Sequence, residues 1–322
     1  MLRSLAKPRR MTVETANRRA VARLILDGLL EIEAGNRFHS GPEAYQLFFD
    51  RELPPRPRHV IGKLSIDALT YAASLLPSNA AQLRDRLYRY NSRPISPAWR
   101  RRFPDEATIN RFLGLDRPAA RIRGGSVPAH VAGTWHAWDV PGARMPRSAA
   151  PRYKLYISPD PAGTGAACRA VRGLLGRRSG PFAMKVGREL SSLLRPDRLV
   201  AYFAAHDDLL EAVERLRASL DGLPAQGVPF TASLGTSGLF SWGADMPVNS
   251  PLGTDTRERS WRAWLASRLA EALSNSARSA AAPPVRFALA RVSLDGVNTA
   301  TWAPTAGLLR LATRLGSTDV DS

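Results

Sequence analysis

The chain has 322 residues, 44% of them hydrophobic and 23% charged, so it has ample material for one large globular domain or two smaller ones. Its 46 basic against 28 acidic residues give a formal charge of +18, which suits a polyanion, a membrane surface or a phosphorylated substrate, although arginines spread along a GC-rich coding sequence would give the same total. A single cysteine, Cys168, excludes an intramolecular disulfide and a cysteine zinc site, and five histidines without an HExxH spacing argue against a metal centre. No apolar run reaches the roughly 18 residues of a membrane span, and the basic first ten residues lead into no apolar signal region, so a soluble protein of a reducing, cytoplasmic compartment is expected.

In chain order, residues 12–30 predict a helix, with Thr12 as cap and Val21, Leu24, Ile25 and Leu29 on one face. A hairpin about Gly35-Asn36 follows, then a Pro-broken basic loop at Leu53-Pro-Pro-Arg-Pro-Arg58 and helices at 64–76 and 79–90. From Asn91 to about Ala150 periodicity fades among seven prolines; this predicts a linker or long-loop region, parts of which pack through Trp99, Trp135 and Trp138.

Beyond 150 the pattern sharpens. Strands are predicted at 153–158, 182–186, 199–203, 229–232 and 239–242, with helices at 162–176 and 188–194. Asp207 is expected to cap a helix bearing Leu209, Leu210, Val213, Leu216 and Leu220. A helix over 259–276 buries Trp261, Trp264, Leu265, Leu269 and Leu273, and a last strand covers 285–290. The intermixed pattern predicts an α+β fold: a mixed, largely antiparallel sheet with flanking helices over 151–322, preceded by a mostly helical region over 1–150.

Only four of the basic residues are lysines: Lys7, Lys63, Lys154 and Lys185. The other 42 are arginine. Arginine stays protonated, whereas a lysine brought near neutrality by burial or a neighbouring cation can accept a proton. Lys154 and Lys185 lie inside the strand-like runs Tyr153-Lys-Leu-Tyr-Ile-Ser158 and Phe182-Ala-Met-Lys-Val186. Ordinary solvent-facing strand lysines would look the same. A Gly163-Thr-Gly165 pair lacks the third glycine of a dinucleotide site, and no phosphate-binding loop or kinase catalytic loop occurs.

Phosphate can be removed from phosphoserine or phosphothreonine by β-elimination with a base for the Cα proton, cations for the phosphate and the enolate-like charge, and an acid for the leaving oxygen. No metal or cofactor is required. Here the residues carry a resemblance. Lys154-Leu-Tyr-Ile-Ser158 resembles the lysine-x-histidine-isoleucine-serine strand of the phosphothreonine lyase effectors, and Phe182-Ala-Met-Lys-Val186 resembles their lysine-valine strand. Arg195-Pro-Asp-Arg-Leu-Val-Ala-Tyr202 and Ser260-Trp-Arg262 resemble their phosphate-binding segments. The closer likeness is to the Hop-A-type effector family, through the Phe-x-x-Lys-Val strand, the Arg-x-Asp-x-x-Val-x-Tyr run, Pro229-Phe-Thr231 and the late Leu/Arg-rich helix. That family includes proteins of lanthipeptide and thioamide-peptide gene clusters, where a separate kinase-like protein phosphorylates a precursor peptide.

The resemblance spans about residues 150–275 and implies roles. Lys185 would be the general base, and Lys154 would stabilise the developing charge. Arg195 and Arg262 would hold phosphate, with Arg198, Arg188 and Tyr202 lining the substrate site. Tyr156 stands where that family has its acid histidine, and His206 is the alternative donor. Arg195 and Arg262 could instead be engaged in ion pairs to Asp197 or Glu258. Two other functions are compatible with the same residues: a non-catalytic phosphopeptide- or leader-peptide-binding partner of a kinase-like enzyme, and a basic nucleic-acid-binding protein.

Overall fold

In a computed structural model, the protein is described over residues 17–26, 30, 32–34, 37–39, 47, 59–116, 120–122, 125–127, 130–142, 152–245, 260–276 and 283–309. The chain opens with helix α1 (Arg18–Leu26) and the hairpin β1 (Ile32–Ala34) and β2 (Arg37–His39). Helices α2 (Val60–Ser74), α3 (Ala80–Arg89), α4 (Pro97–Arg102) and α5 (Glu106–Leu113) follow. A small hairpin, β3 (Ala120–Ile122) and β4 (Gly125–Val127), leads to β5 (His130–Ala132), β6 (Trp135–Asp139) and β7 (Tyr153–Ile157). Then come α6 (Thr164–Arg172), β8 (Ala183–Gly187), α7 (Leu190–Leu193), β9 (Leu199–Phe203) and α8 (His206–Ser219). The described chain closes with β10 (Ala232–Ser233), β11 (Phe240–Ala244), α9 (Trp261–Ser276), α10 (Pro284–Leu294) and the hairpin β12 (Val297–Asn298) and β13 (Ala303–Pro304).

Seven strands form one antiparallel sheet in the order β10-β11-β7-β9-β8-β6-β5, and the fold class is α+β. Side chains alternate between its faces with period two. Leu155, Ile157, Met184, Val186, Leu199, Ala201, Phe203 and Trp138 point one way, into a core closed by α6 and α8 through Ala167, Cys168, Val171, Leu209, Val213 and Leu216. Each such side chain contributes roughly 1.5–3 kcal/mol by leaving water. The opposite face carries Lys154, Tyr156, Lys185, Val200 and Tyr202.

A second core lies among α1, α2, α3, α9 and α10, with Trp261, Trp264, Leu265, Leu269, Leu273, Phe287 and Trp302 all buried. This helical layer meets the second sheet face at Gly243, where a Cβ would sit 2.5 Å from the Trp261 ring. Glycine there lets α9 approach the sheet closely enough for its next residue, Arg262, to reach across it.

Helices α2, α3 and α9 and the central strands match the expected positions within a few residues. Four elements differ. Residues 285–290 form the helix α10 rather than a strand, with Pro284 in its first turn. The alternation of Val285, Phe287 and Leu289 suits either period, and packing against α9 and α2 decides for the helix, burying Phe287, Ala288, Ala290 and Val292. The segment from 91 is less of a linker than its prolines suggest. It holds α4 and α5, and β5–β6 extend the sheet by pairing with β8, so the sheet draws strands from both sides of residue 150. Asp207 does not cap α8; the helix starts at His206 after Ala205, which places Asp207 and Asp208 in the first turn. There their charges still favour the helix N-terminus. Of the strand expected at 229–232 only Ala232 pairs, with Trp242. Thr12 and the loop 53–58 lie outside the described residues. No described helix is long and apolar enough to cross a membrane.

Candidate active site

Mid-strand position puts both lysines on one sheet face. Lys154 on β7 pairs with Tyr202 of β9, and Lys185 on β8 pairs with Val200 of the same strand, two residues away. The two side chains therefore project from the same side, diagonally across β9.

Their surroundings differ. Lys154 Nζ lies 2.6 Å from Asp245 Oδ1, an ion pair, and 5.4 Å from the centre of the Tyr202 ring. Lys185 has no carboxylate within ion-pair distance among the described residues; its Nζ stands 4.4 Å above the Trp135 ring. Burial first, and then the charge of Lys154, push the Lys185 amine down to about 8. A cation–π contact favours the charged form, but more weakly than the missing carboxylate would.

Asp197 organises the arginines. In the turn before β9 its carboxylate accepts from Arg195 Nε and Nη2, both at 2.8 Å, and Arg262 Nη1 reaches it at 2.7 Å. Burial alone would raise this carboxyl, but the guanidinium groups of Arg262 and Arg195 outweigh it and hold Asp197 well below the usual carboxylate range. Between the two arginines lies Tyr88 of α3, its ring centre 5.2 Å from Arg195 Cζ and 4.8 Å from Arg262 Cζ. The Tyr88 hydroxyl accepts from Arg195 Nη2 at 3.0 Å and donates to Asp197 at 3.4 Å. Among the described residues, four cations (Lys154, Lys185, Arg195, Arg262) thus face two carboxylates (Asp197, Asp245), an excess of two positive charges on this sheet face. A phosphate dianion matches that excess.

Not every sequence-predicted residue joins this cluster. Arg195 does, and its Nη1 makes no bond to the described residues. Arg262 is 1% exposed; Nε donates to the Pro229 carbonyl and Nη2 to the Tyr88 carbonyl, while Nη1 makes the ion pair to Asp197 without a hydrogen bond among the described residues. It holds the site together from behind. The ion-pair alternative to Asp197 is therefore present for both arginines, while Glu258 lies outside the described residues. Arg198 is wholly buried and donates to the Pro159 carbonyl and to Gln226 Oε1. Arg188 makes a two-pronged ion pair with Glu106, 2.7 Å at each prong, beyond the far end of β8.

Neither expected proton donor is well placed. Tyr156 faces the site but is 2% exposed, with a buried hydroxyl that finds no partner; burial and then Asp245 raise it well above the ordinary phenol value. His206 is on the other side of the sheet. It packs 4.4 Å from Trp242 and 5.4 Å from Tyr153, whose side chains project opposite to those of Gly243 and Lys154. Burial lowers its pKa. Tyr202 lines the site beside Lys154 and Phe182, and burial followed by Asp245 raises its hydroxyl.

Sequence reasoning gave no role to Tyr88, Trp135 or Asp245. Asp197, two residues after Arg195, was legible as an ion-pair partner; Tyr88 sits more than 100 residues from either arginine, and no local signal marks it.

No family model matches the chain, and no curated protein is matched by it. Among solved structures, an effector protein from Pseudomonas syringae pv. tomato strain DC3000 is 15% identical with a TM-score of 0.43, covering 76% of this chain and 98% of its own. The phosphothreonine lyase SpvC, an effector from Salmonella, is 14% identical with a TM-score of 0.33, covering 64% of this chain and 97% of its own. The type III effector and phosphothreonine lyase OspF from Shigella flexneri is 13% identical with a TM-score of 0.30, covering 56% and 89%.

Proposed function

We propose that the protein is a phosphoserine/phosphothreonine lyase acting by β-elimination on a phosphorylated peptide. The observation that carries this reading is Lys185: a lysine without a carboxylate partner among the described residues, its pKa pushed down to about 8, on the same sheet face as Lys154 and the Arg195–Asp197 pair. A base with a pKa near working pH is both available and strong enough to take a carbon-bound proton.

The neutral amine of Lys185 removes the Cα proton of the phosphoresidue. The electron pair forms the Cα–Cβ double bond as the Cβ–O bond breaks, and phosphate leaves. Lys154, ion-paired to Asp245, stabilises the negative charge that builds on the substrate carbonyl. Arg195, aimed by Asp197, binds the phosphate through its open Nη1. The product is dehydroalanine or dehydrobutyrine. In keeping with the resemblance to proteins of lanthipeptide clusters, the substrate is a precursor peptide phosphorylated by a separate kinase-like protein.

The test is loss of phosphate from a phosphothreonine peptide, read by mass as dehydrobutyrine, in the presence of a chelator. Lys185→Ala abolishes elimination and leaves phosphopeptide binding near wild type, because a base acts on the transition state. Lys185→Arg is almost as damaging, since arginine keeps its proton. Full activity in Lys185→Arg would place the base elsewhere.

One observation favours a second reading. Arg262 is held within the protein by two backbone carbonyls and the ion pair to Asp197, and among the described residues the site face carries no histidine, which suits a protein that binds a phosphopeptide for a partner enzyme without turning it over. Tight binding by the wild type with no mass change, even on its natural precursor, selects that reading.

A further inference from the structure

We infer that Tyr88, contributed by α3 from the helical region before residue 150, is the proton donor to the departing phosphate, standing in for the acid that the sheet itself does not supply. The inference rests on the lyase reading above and extends it.

Three tyrosines face the site, and their environments separate them. Tyr156 has a hydroxyl buried without a hydrogen-bond partner among the described residues, and burial with Asp245 outweighs Arg262 in raising it. Tyr202 has Lys154 over its ring but no hydrogen bond to its hydroxyl among the described residues, and it lies on the side of β9 toward Asp245. Tyr88 differs on every count. It is half-buried, its ring lies between the Arg195 and Arg262 guanidinium groups, and its hydroxyl accepts from Arg195 Nη2 at 3.0 Å. The guanidinium that holds the hydroxyl is the one with an open nitrogen for phosphate. A phosphate oxygen on Arg195 Nη1 therefore lies one guanidinium width from the Tyr88 proton.

The electrostatics fit. Burial and Asp197 raise the Tyr88 pKa, whereas Arg262 and Arg195 work against them, and the incoming phosphate competes with Asp197 for the hydroxyl proton. Elimination from a dianionic ester expels a phosphate trianion unless a proton arrives with it. That trianion is basic enough to take a proton from a phenol. The step balances: Lys185 gains the Cα proton, the leaving oxygen gains the Tyr88 proton, and the phenolate, stabilised between two guanidinium groups, regains its proton from water. Two guanidinium groups, 5.2 and 4.8 Å from the ring centre, give this phenol what an ordinary core tyrosine lacks.

Tyr88→Phe keeps the ring that stacks on both arginines and removes only the proton. On a phosphothreonine peptide at pH 8 its kcat is expected to fall by about 10²–10⁴-fold, the usual contribution of a general acid, with KM near wild type. The deficit should shrink below about pH 6, where the phosphate ester is a monoanion that carries one proton of its own. A merely structural tyrosine would give a deficit that does not change with pH. Lys185→Ala is run in parallel, and thermal unfolding checks that each variant folds. If wild type eliminates and Lys185→Ala does not, yet Tyr88→Phe keeps full kcat or shows a pH-independent deficit, Tyr88 is not the donor while the lyase reading stands. If Tyr156→Phe shows the larger, pH-dependent loss, the donor is Tyr156 and the inference is overturned. If wild type eliminates nothing, both fall together.

Discussion

The two faces of the central sheet are built from the same strands yet do opposite things. On one, Leu155, Ile157, Val186, Leu199 and Phe203 pack under α6 and α8 in a predominantly apolar core. On the other, one residue further along each strand, Lys154, Lys185 and Tyr202 meet Arg195, Arg262, Asp197 and Tyr88. The first face stabilises by removing apolar surface from water, at about 25 cal/mol per Å². The second must satisfy buried charges with one another, which yields little net stability because desolvation offsets the attraction. One charge, on Lys185, has no carboxylate at ion-pair distance among the described residues. Stability and chemistry thus sit on opposite sides of strands only five residues long.

The largest expected effect should separate the faces most sharply. Lys185→Met removes the base and should lower elimination by about 10²–10⁴-fold, equivalent to roughly 3–5 kcal/mol of transition-state stabilisation. The same change should raise the unfolding midpoint at pH 7 by a few degrees, because it removes a charged amine that the fold disfavours. The folded pKa of about 8 lies below the ordinary 10.5, so the cost is full below pH 8 and fades as pH rises from about 8 toward 10.5. Wild-type activity, needing the neutral amine, should rise with pH through about 8. A lysine that stabilises the fold at pH 7 would break the comparison.

Asp197→Ala comes next. It leaves two guanidinium groups without their shared carboxylate, and breaking a buried pair in this way costs about 3–5 kcal/mol. In the wild type the contribution of Asp197 is fully present above the ordinary carboxylate range and is lost as pH falls through that range toward its depressed value. Acid unfolding monitored by circular dichroism should start at higher pH in the variant. On the apolar face, Leu155→Ala should cost about 2–5 kcal/mol, measured by urea unfolding, and leave the pH dependence of turnover in place. The smallest effect is expected for His206→Ala. Its ring lies across the sheet from the lysines, so elimination should persist with kcat near wild type, and a large loss would mean that chemistry reaches through the sheet.

Much of the site was legible residue by residue. Four lysines among 46 basic residues singled out Lys154 and Lys185, and strand periodicity put each on a definite face. Arg195 and its neighbour Asp197 could be read as either a phosphate ligand or an ion pair, and in the structure Arg195 keeps one nitrogen open while two bind the carboxylate. His206 misled because adjacency in sequence to the Tyr202 strand says nothing about the face on which the following helix begins. Residues 285–290 misled because a short apolar alternation fits two periods, and only the neighbouring helices decided between them.

Sequence alone determined what is local: the positions of α2, α3, α9 and the central strands, the alternation that separates a core face from a charged face, and the scarcity of lysine. Tertiary structure decided what is shared between distant segments. It joined β5–β6 to the sheet edge, set α9 against Gly243 so that Arg262 reaches Asp197, and brought Tyr88 from α3 between two arginines more than 100 residues away. The reason is physical. Backbone propensity and side-chain period act over a few residues, whereas a pKa, a cation stacked on a ring or a shared carboxylate depends on which groups are brought within a few ångströms of one another, and packing of the whole chain decides that.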